Sequence, residues 1–130
     1  MSVHHFGPVR VYYEDTDMAG IVYYANYLKY IERARSEWVR ELGIDQTALR
    51  EDGVVFVVRA LEAEYHKPGR FDDLLDVHTH VEQARGARLV MRQEVKRGQE
   101  ILFSARVTVT CVDAAGRVTR FPANIRPATP

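Results

Sequence analysis

Apolar residues recur at helical spacing in one stretch of this chain and at every second position through most of the rest. Tyr27, Ile31, Ala34, Trp38 and Leu42 fall on one face, which predicts a helix from about Tyr24 to Leu42. Gly43 is placed to end it. Leu28, Tyr30 and Val39 widen the apolar face, as suits a helix with a sheet wrapped around it. Glu32, Arg33, Glu37, Arg40 and Glu41 fill the remaining face.

Around this helix the period is two. Val9 to Glu14 reads as a first strand, followed by the polar turn Asp15-Thr16-Asp17 and Gly20. Val54 to Tyr65 predicts a long strand. Leu75, Val77, Thr79 and Val81 alternate with Asp76, His78, His80 and Glu82. Ala87, Leu89 and Met91 alternate with Arg88 and Arg92, and Ile101 to Cys111 alternates in the same way. Such strands bury one face and wet the other. Turns are expected at Arg97-Gly98 and at Asp113 to Gly116, the latter leading to a short strand from Arg117 to Phe121. The Pro-rich segment 122–130 reads as a tail. The expected fold is α+β, a single domain over residues 1–130 with one long helix wrapped by five or six antiparallel strands. Such a sheet leaves an edge or face to cover, so at least a dimer is expected.

Charge and composition narrow the function. Lys+Arg and Asp+Glu both number 18, so nothing draws the whole molecule to nucleic acid, and any cationic site must be local. The single cysteine, Cys111, excludes an internal disulfide and suits a reducing compartment, so a cytoplasmic protein is expected. No signal peptide is read at the N-terminus, and no apolar run approaches the roughly 20 residues that span a bilayer.

The chemistry concentrates between Tyr12 and Tyr27, where acidic residues occupy a turn, a glycine follows, and aromatics enter the helix. The helix start offers free backbone N–H groups and a positive dipole end. These N–H groups can bind a carbonyl oxygen as it becomes negative, while a carboxylate attacks the carbonyl or activates water. The residues alone leave a plainer alternative open, in which Asp15 and Asp17 only shape the turn and cap the helix.

The stretch from Tyr13 to Arg35 resembles the signature of the 4-hydroxybenzoyl-CoA thioesterase family of hotdog-fold enzymes, and in particular its Tol–Pal-associated acyl-CoA thioesterase branch. Tyr65-His66-Lys67-Pro68-Gly69-Arg70-Phe71-Asp72-Asp73-Leu74-Leu75 is similar to the same branch. The resemblance implies hydrolysis of an acyl-CoA, with Asp17 as nucleophile or general base. It implies an oxyanion-binding backbone N–H at or beside Tyr24, with Gly20 giving a tight approach of strand and helix. It further implies sites at a dimer interface and a homodimer paired into a tetramer. Acyl carrier protein is a possible alternative carrier, and an envelope complex a possible partner. Tyr24 departs from the branch, which usually carries His there.

Around this site, the resemblance assigns Arg85 and Arg88 to the CoA nucleotide, with Lys67 and Arg70 as a second pair. A solvated turn is the alternative for each. Glu37, Trp38 and Phe56 are candidates for the acyl end of the pocket. Cys111 lies on an apolar strand face, which predicts an inert thiol. The histidines His4, His5, His66, His78 and His80 match no recognised ligand spacing, so neither a metal nor a cofactor is expected. Two rivals remain. A non-catalytic acyl-CoA-binding module would bind without turnover. A hotdog dehydratase needs a His paired with an acid, and the Asp17 motif has none nearby.

Overall fold

A computed structural model describes residues 3–125. Strand β1 (His4–Arg10) leads through a single 3₁₀ turn, Tyr13–Asp15, to the long helix α1 (Asn26–Glu41) and a short helix α2 (Gln46–Glu51). Four long strands follow: β2 (Val55–Tyr65), β3 (Leu74–Arg85), β4 (Arg88–Arg97) and β5 (Glu100–Val112). A two-residue strand β6 (Val118–Thr119) ends the order. All pairs are antiparallel, in the order β1-β3-β4-β5-β2, with β6 beside β5.

Helix α1 forms where the pattern places it, because Tyr27, Tyr30, Ile31, Ala34 and Trp38 all bury on one face. They meet Val77, Met91, Val95, Phe103 and Val107 from the strands, none of which is more than 1% exposed. Each large side chain so buried contributes roughly 1.5–3 kcal/mol. Bulges after Val81 in β3 and after Val58 in β2 raise the local twist and help the sheet curl over the helix.

The helix register is pinned by one buried polar side chain. Gln93 of β4 is fully buried and its Nε2 donates to the Ile31 carbonyl and to Thr79 Oγ1, both at 2.9 Å. Its Oε1 accepts from Arg35 Nη1 at 3.0 Å. Both ends of the amide are therefore satisfied, and together they join helix to sheet.

Three expectations change. The first strand ends at Arg10, four residues earlier than the alternation suggests, and Tyr13–Asp15 turns instead. Tyr12 N–H donates to Asp15 Oδ2 at 2.8 Å, and this local bond favours a turn over an extended strand. The helix α2 was not expected; it starts because Asp45 Oδ1 accepts from Thr47 N–H and Ala48 N–H. The segment after residue 121 is not simply a tail. Ile125 is 1% exposed in the core, and Asn124 Nδ2 donates to the Leu42 carbonyl at 2.9 Å at the C-terminal end of α1. Residues 126–130 of that expected tail lie outside the described residues.

Replacing Gln93 by Leu keeps the volume and removes all three hydrogen bonds. The variant is expected to lose about 1–3 kcal/mol of stability, since the Ile31 carbonyl, Thr79 and Arg35 are left buried without this partner. A urea midpoint equal to that of wild type would show that the amide does not hold the helix.

Candidate active site

The two aspartates of the acidic turn have different surroundings. Asp15 is absorbed into the scaffold. Its carbonyl accepts from Tyr23 N–H and from Asn26 Nδ2, both at 2.9 Å, which ties the turn to the start of α1. The Tyr30 hydroxyl is buried close to the Asp15 carboxylate but outside good hydrogen-bonding geometry. Burial first, and then the charge of Asp15, push this phenol well above its ordinary range.

Asp17 heads a tight exposed turn. Its N–H donates to the Ile21 carbonyl, and its own carbonyl accepts from Gly20 N–H, both at 2.9 Å. Its Oδ1 accepts from Ala19 N–H at 2.9 Å, while no donor among the described residues reaches Oδ2. The turn is locked on both sides by bridges between Thr16 and Val22 and between Ile21 and Arg70. Gly20 serves this turn for a different reason than expected. A Cβ there would meet nothing within 4 Å, so no close approach requires glycine; its φ of +77° does. The close approach belongs to Gly69 instead, where a Cβ would lie 3.0 Å from both the Tyr27 hydroxyl and Val22 Cγ2.

The helix start faces the same space. Ala25, at the N-cap position, offers no side-chain acceptor, and the N–H groups of Tyr24 and Ala25 have no acceptor among the described residues. The Tyr24 carbonyl accepts from the Tyr65 hydroxyl at 3.0 Å, which fixes the peptide plane at this point. Tyr24 and Tyr65 pack edge-on at 6.1 Å, and Tyr27 stacks on Phe103 at 4.9 Å with its hydroxyl accepting from Gly69 N–H. Asp17 and Tyr24 thus share a groove of about 360 Å³ with Ile21, Val22 and Tyr27. Its other wall is Tyr65, His66, Lys67 and Pro68.

His66 was missed as a site residue. The motif around Asp17 holds no histidine, but the chain folds this one into the groove, its Nε2 at 2.8 Å from Ser104 Oγ. The only sequence signal for it was its place in the Tyr65 to Leu75 segment. Arg97 was missed too. It grips Asp73 and Glu100 at 2.6 Å each and so fixes the loop that carries Lys67 and Arg70. Hydrogen bonds to Glu100 and Asp73 raise its pKa further.

The expected cations divide. Lys67 lines the groove but is paired with Glu100 at 2.8 Å. Arg70 stands beside it, bridged through its backbone to Ile21. Arg85 and Arg88 flank the β3–β4 hairpin, at the opposite end of the twelve-residue strand β3 from Arg70. Through the strand pairing Arg88 stands level with Val57, and at about 3.3 Å per residue this is roughly 25 Å along the sheet from Tyr65 in the groove of the same chain. Trp38 and Phe56 do not line the groove either. They line a second cavity of about 230 Å³ with Val58, Leu89, Met91 and Val109, and with the polar Glu32, Arg35, Ser36 and Gln46. Glu37 lies outside both and pairs with Arg40 at 2.6 Å.

Cys111 is fully buried, and burial pushes its thiol pKa up. One set of metal-type donors exists among the described residues. His5, Asp76 and His78 meet across two strands, a pairing that spacing along the sequence does not reveal.

Comparison with known proteins places the chain among thioesterases. Residues 19–104 match the family model of the Thioesterase superfamily. The chain is 46% identical over 107 residues to the acyl-CoA thioester hydrolase YbgC of Escherichia coli O157:H7, covering 82% of this chain and 80% of that protein. It is 43% identical over 123 residues to the acyl-CoA thioesterase YbgC of Haemophilus influenzae, covering 93% and 90%. A probable thioesterase from Bartonella henselae superposes with a TM-score of 0.87 at 36% identity, covering 93% of this chain and all of that one.

The burial of Cys111 makes a direct prediction. In the native protein at neutral pH, a disulfide thiol reagent such as DTNB is expected to leave it unmodified, and denaturant should release one thiol per chain. Rapid modification of the folded protein would show that the thiol is accessible and ionised.

Proposed function

The chain belongs to the thioesterase superfamily and has its hotdog fold; from this premise we propose that it hydrolyses acyl-CoA thioesters, with Asp17 and the peptide N–H groups at Tyr24 carrying the chemistry. The observation that supports this is the pairing of two unengaged groups in one groove: Oδ2 of Asp17 and the N–H of Tyr24. The thioester carbonyl oxygen lies against the helix start, where the N–H groups and the dipole stabilise the developing oxyanion. Asp17 attacks the carbonyl carbon to form a mixed anhydride, which water then cleaves to the free acid and the restored carboxylate, or it removes a proton from water that attacks the thioester directly. In either route the C–S bond breaks and CoA leaves as its thiolate. Thiolate is a good leaving group, so Tyr24 in place of a histidine does not stop the reaction. The Tyr65 hydroxyl on the Tyr24 carbonyl holds the donor peptide in one orientation.

A second copy completes the site. β2 is a sheet edge with Val55, Val57, Val58, Leu61 and Tyr65 each 38–49% exposed. Two such edges pairing antiparallel set the Val55 end of one beside the Tyr65 end of the other. Val55 pairs with Val112, Arg88 with Thr110 and Arg85 with Arg88, so the β3–β4 hairpin lies at the Val55 end. The hairpin of the second copy therefore approaches the groove with its two arginines, suited to CoA phosphates. The cavity beside Trp38 and Phe56 approaches with it and accepts the acyl group. Pairs of dimers then form a tetramer. Among the described residues, no helix is long and apolar enough to cross a membrane. We place the protein in the cytoplasm on the strength of its single, unpaired cysteine.

Thiol release from short, medium, long and aromatic acyl-CoA thioesters tests the reaction. Asp17→Asn keeps the shape of the turn and removes the charge, and turnover is expected to fall about 10²–10⁴-fold. Near-normal turnover in that variant removes Asp17 from its role. Wild type that binds every thioester and cleaves none would instead be a sensor of acyl-CoA.

Leu61→Glu places like charges at the paired edges. It is expected to shift sedimentation from dimer or tetramer to monomer and to abolish thiol release with it. A fully active monomer would show that each chain holds a complete site.

A further inference from the structure

We propose that His5, Asp76 and His78 form a binding site for a divalent transition-metal ion of the zinc class, on the outer face of the sheet where β1 meets β3. The β1–β3 register sets His5 opposite His78, and Asp76 lies two residues before His78 on the same face. His78 Nε2 is 2.7 Å and His5 Nδ1 3.3 Å from the same oxygen, Oδ2 of Asp76. The two imidazole rings lie with centroids 4.1 Å apart, and one donor atom from each residue falls within 4.8 Å of the others.

Bonds of about 2.0–2.1 Å to a tetrahedral zinc place donors roughly 3.3 Å apart. The two nitrogen–oxygen spacings, 2.7 and 3.3 Å, lie just below and at that value, so rotamer adjustments suffice. Two imidazoles and one carboxylate suit zinc and its first-row neighbours, whereas calcium and magnesium take oxygen ligands. A carboxylate only accepts, so the imidazole nitrogens beside it carry the protons in the ion's absence. On binding, each neutral ring moves that proton to its other nitrogen and presents a lone pair.

The carboxylate is also backed by the main chain. A Cβ at Gly7 would lie 2.9 Å from Asp76 Oδ1, so the glycine lets β1 close on that oxygen while Oδ2 stays turned to the imidazoles. The side chains are 58%, 41% and 20% exposed for His5, Asp76 and His78, so an ion can enter and water can take the fourth position. Val77 and Thr79, on either side of His78 in β3, are buried on the helix side, so the cluster faces away from α1. The ion would act as a clasp between edge strand β1 and β3, separate from thioester chemistry. The plainer alternative is a hydrogen-bonded His–Asp–His group that takes no ion.

Calorimetric titration with zinc chloride on the full chain decides between them. Wild type is expected to bind one ion per chain and to gain thermal stability from it. His5→Gln and His78→Gln should each weaken binding at least about tenfold and lose the zinc-dependent rise in Tm. His80→Gln, on the same strand face but outside the cluster, should keep both. Tm values without zinc that match wild type confirm that the variants fold. No saturable binding by wild type, or an equal loss in His80→Gln, overturns the proposal.

Discussion

The molecule depends on holding a helix, buried along one face, at one fixed height within a curled sheet. Apolar packing alone would let α1 slide or rotate among similar arrangements, because such contacts have no direction. Gln93 supplies direction. Its amide joins the Ile31 carbonyl, Thr79 and Arg35, and all of these bonds are made only at one register. What this fixes at the far end of the helix is the position of the Tyr24 peptide. A displacement of an ångström there moves the N–H groups away from the carbonyl they would bind.

The two aspartates of one turn are held in different ways. Asp15 joins the turn to the start of the helix: Tyr12 N–H donates to its carboxylate, and the Tyr23 N–H and the Asn26 amide donate to its main-chain carbonyl. Asp17, two residues later, is held by its own turn and keeps one carboxylate oxygen without a donor among the described residues. Turn-forming accounts for Asp15; Asp17 stands in the groove beside the helix start.

The sequence made the fold legible wherever a face had to be buried. α1, β3 and β5 lie where apolar periodicity puts them, because a shift by one residue would turn each set to solvent. Local bonding defeated the pattern at three places. Tyr12 and Asp15 close a turn inside an apparent strand, Asp45 starts α2, and Asn124 and Ile125 fasten a segment whose prolines suggested a tail. The motif singled out Asp17 and Tyr24, which the fold brings to one groove. His66 and Arg97 were not singled out, since strand pairing, and not spacing, brings them near. The same holds for the cross-strand neighbours His5 and His78.

Tyr65 has a further significance. It is the last residue of the exposed edge strand, and its hydroxyl holds the Tyr24 peptide in place. Exposed edges are usually blunted by proline, lysine or a shortened strand. Here any such change at this end of β2 would loosen the peptide at the mouth of the groove. One side chain thus ties the outline of the sheet edge to the orientation of a peptide at the helix start, so a change made to the first is felt at the second.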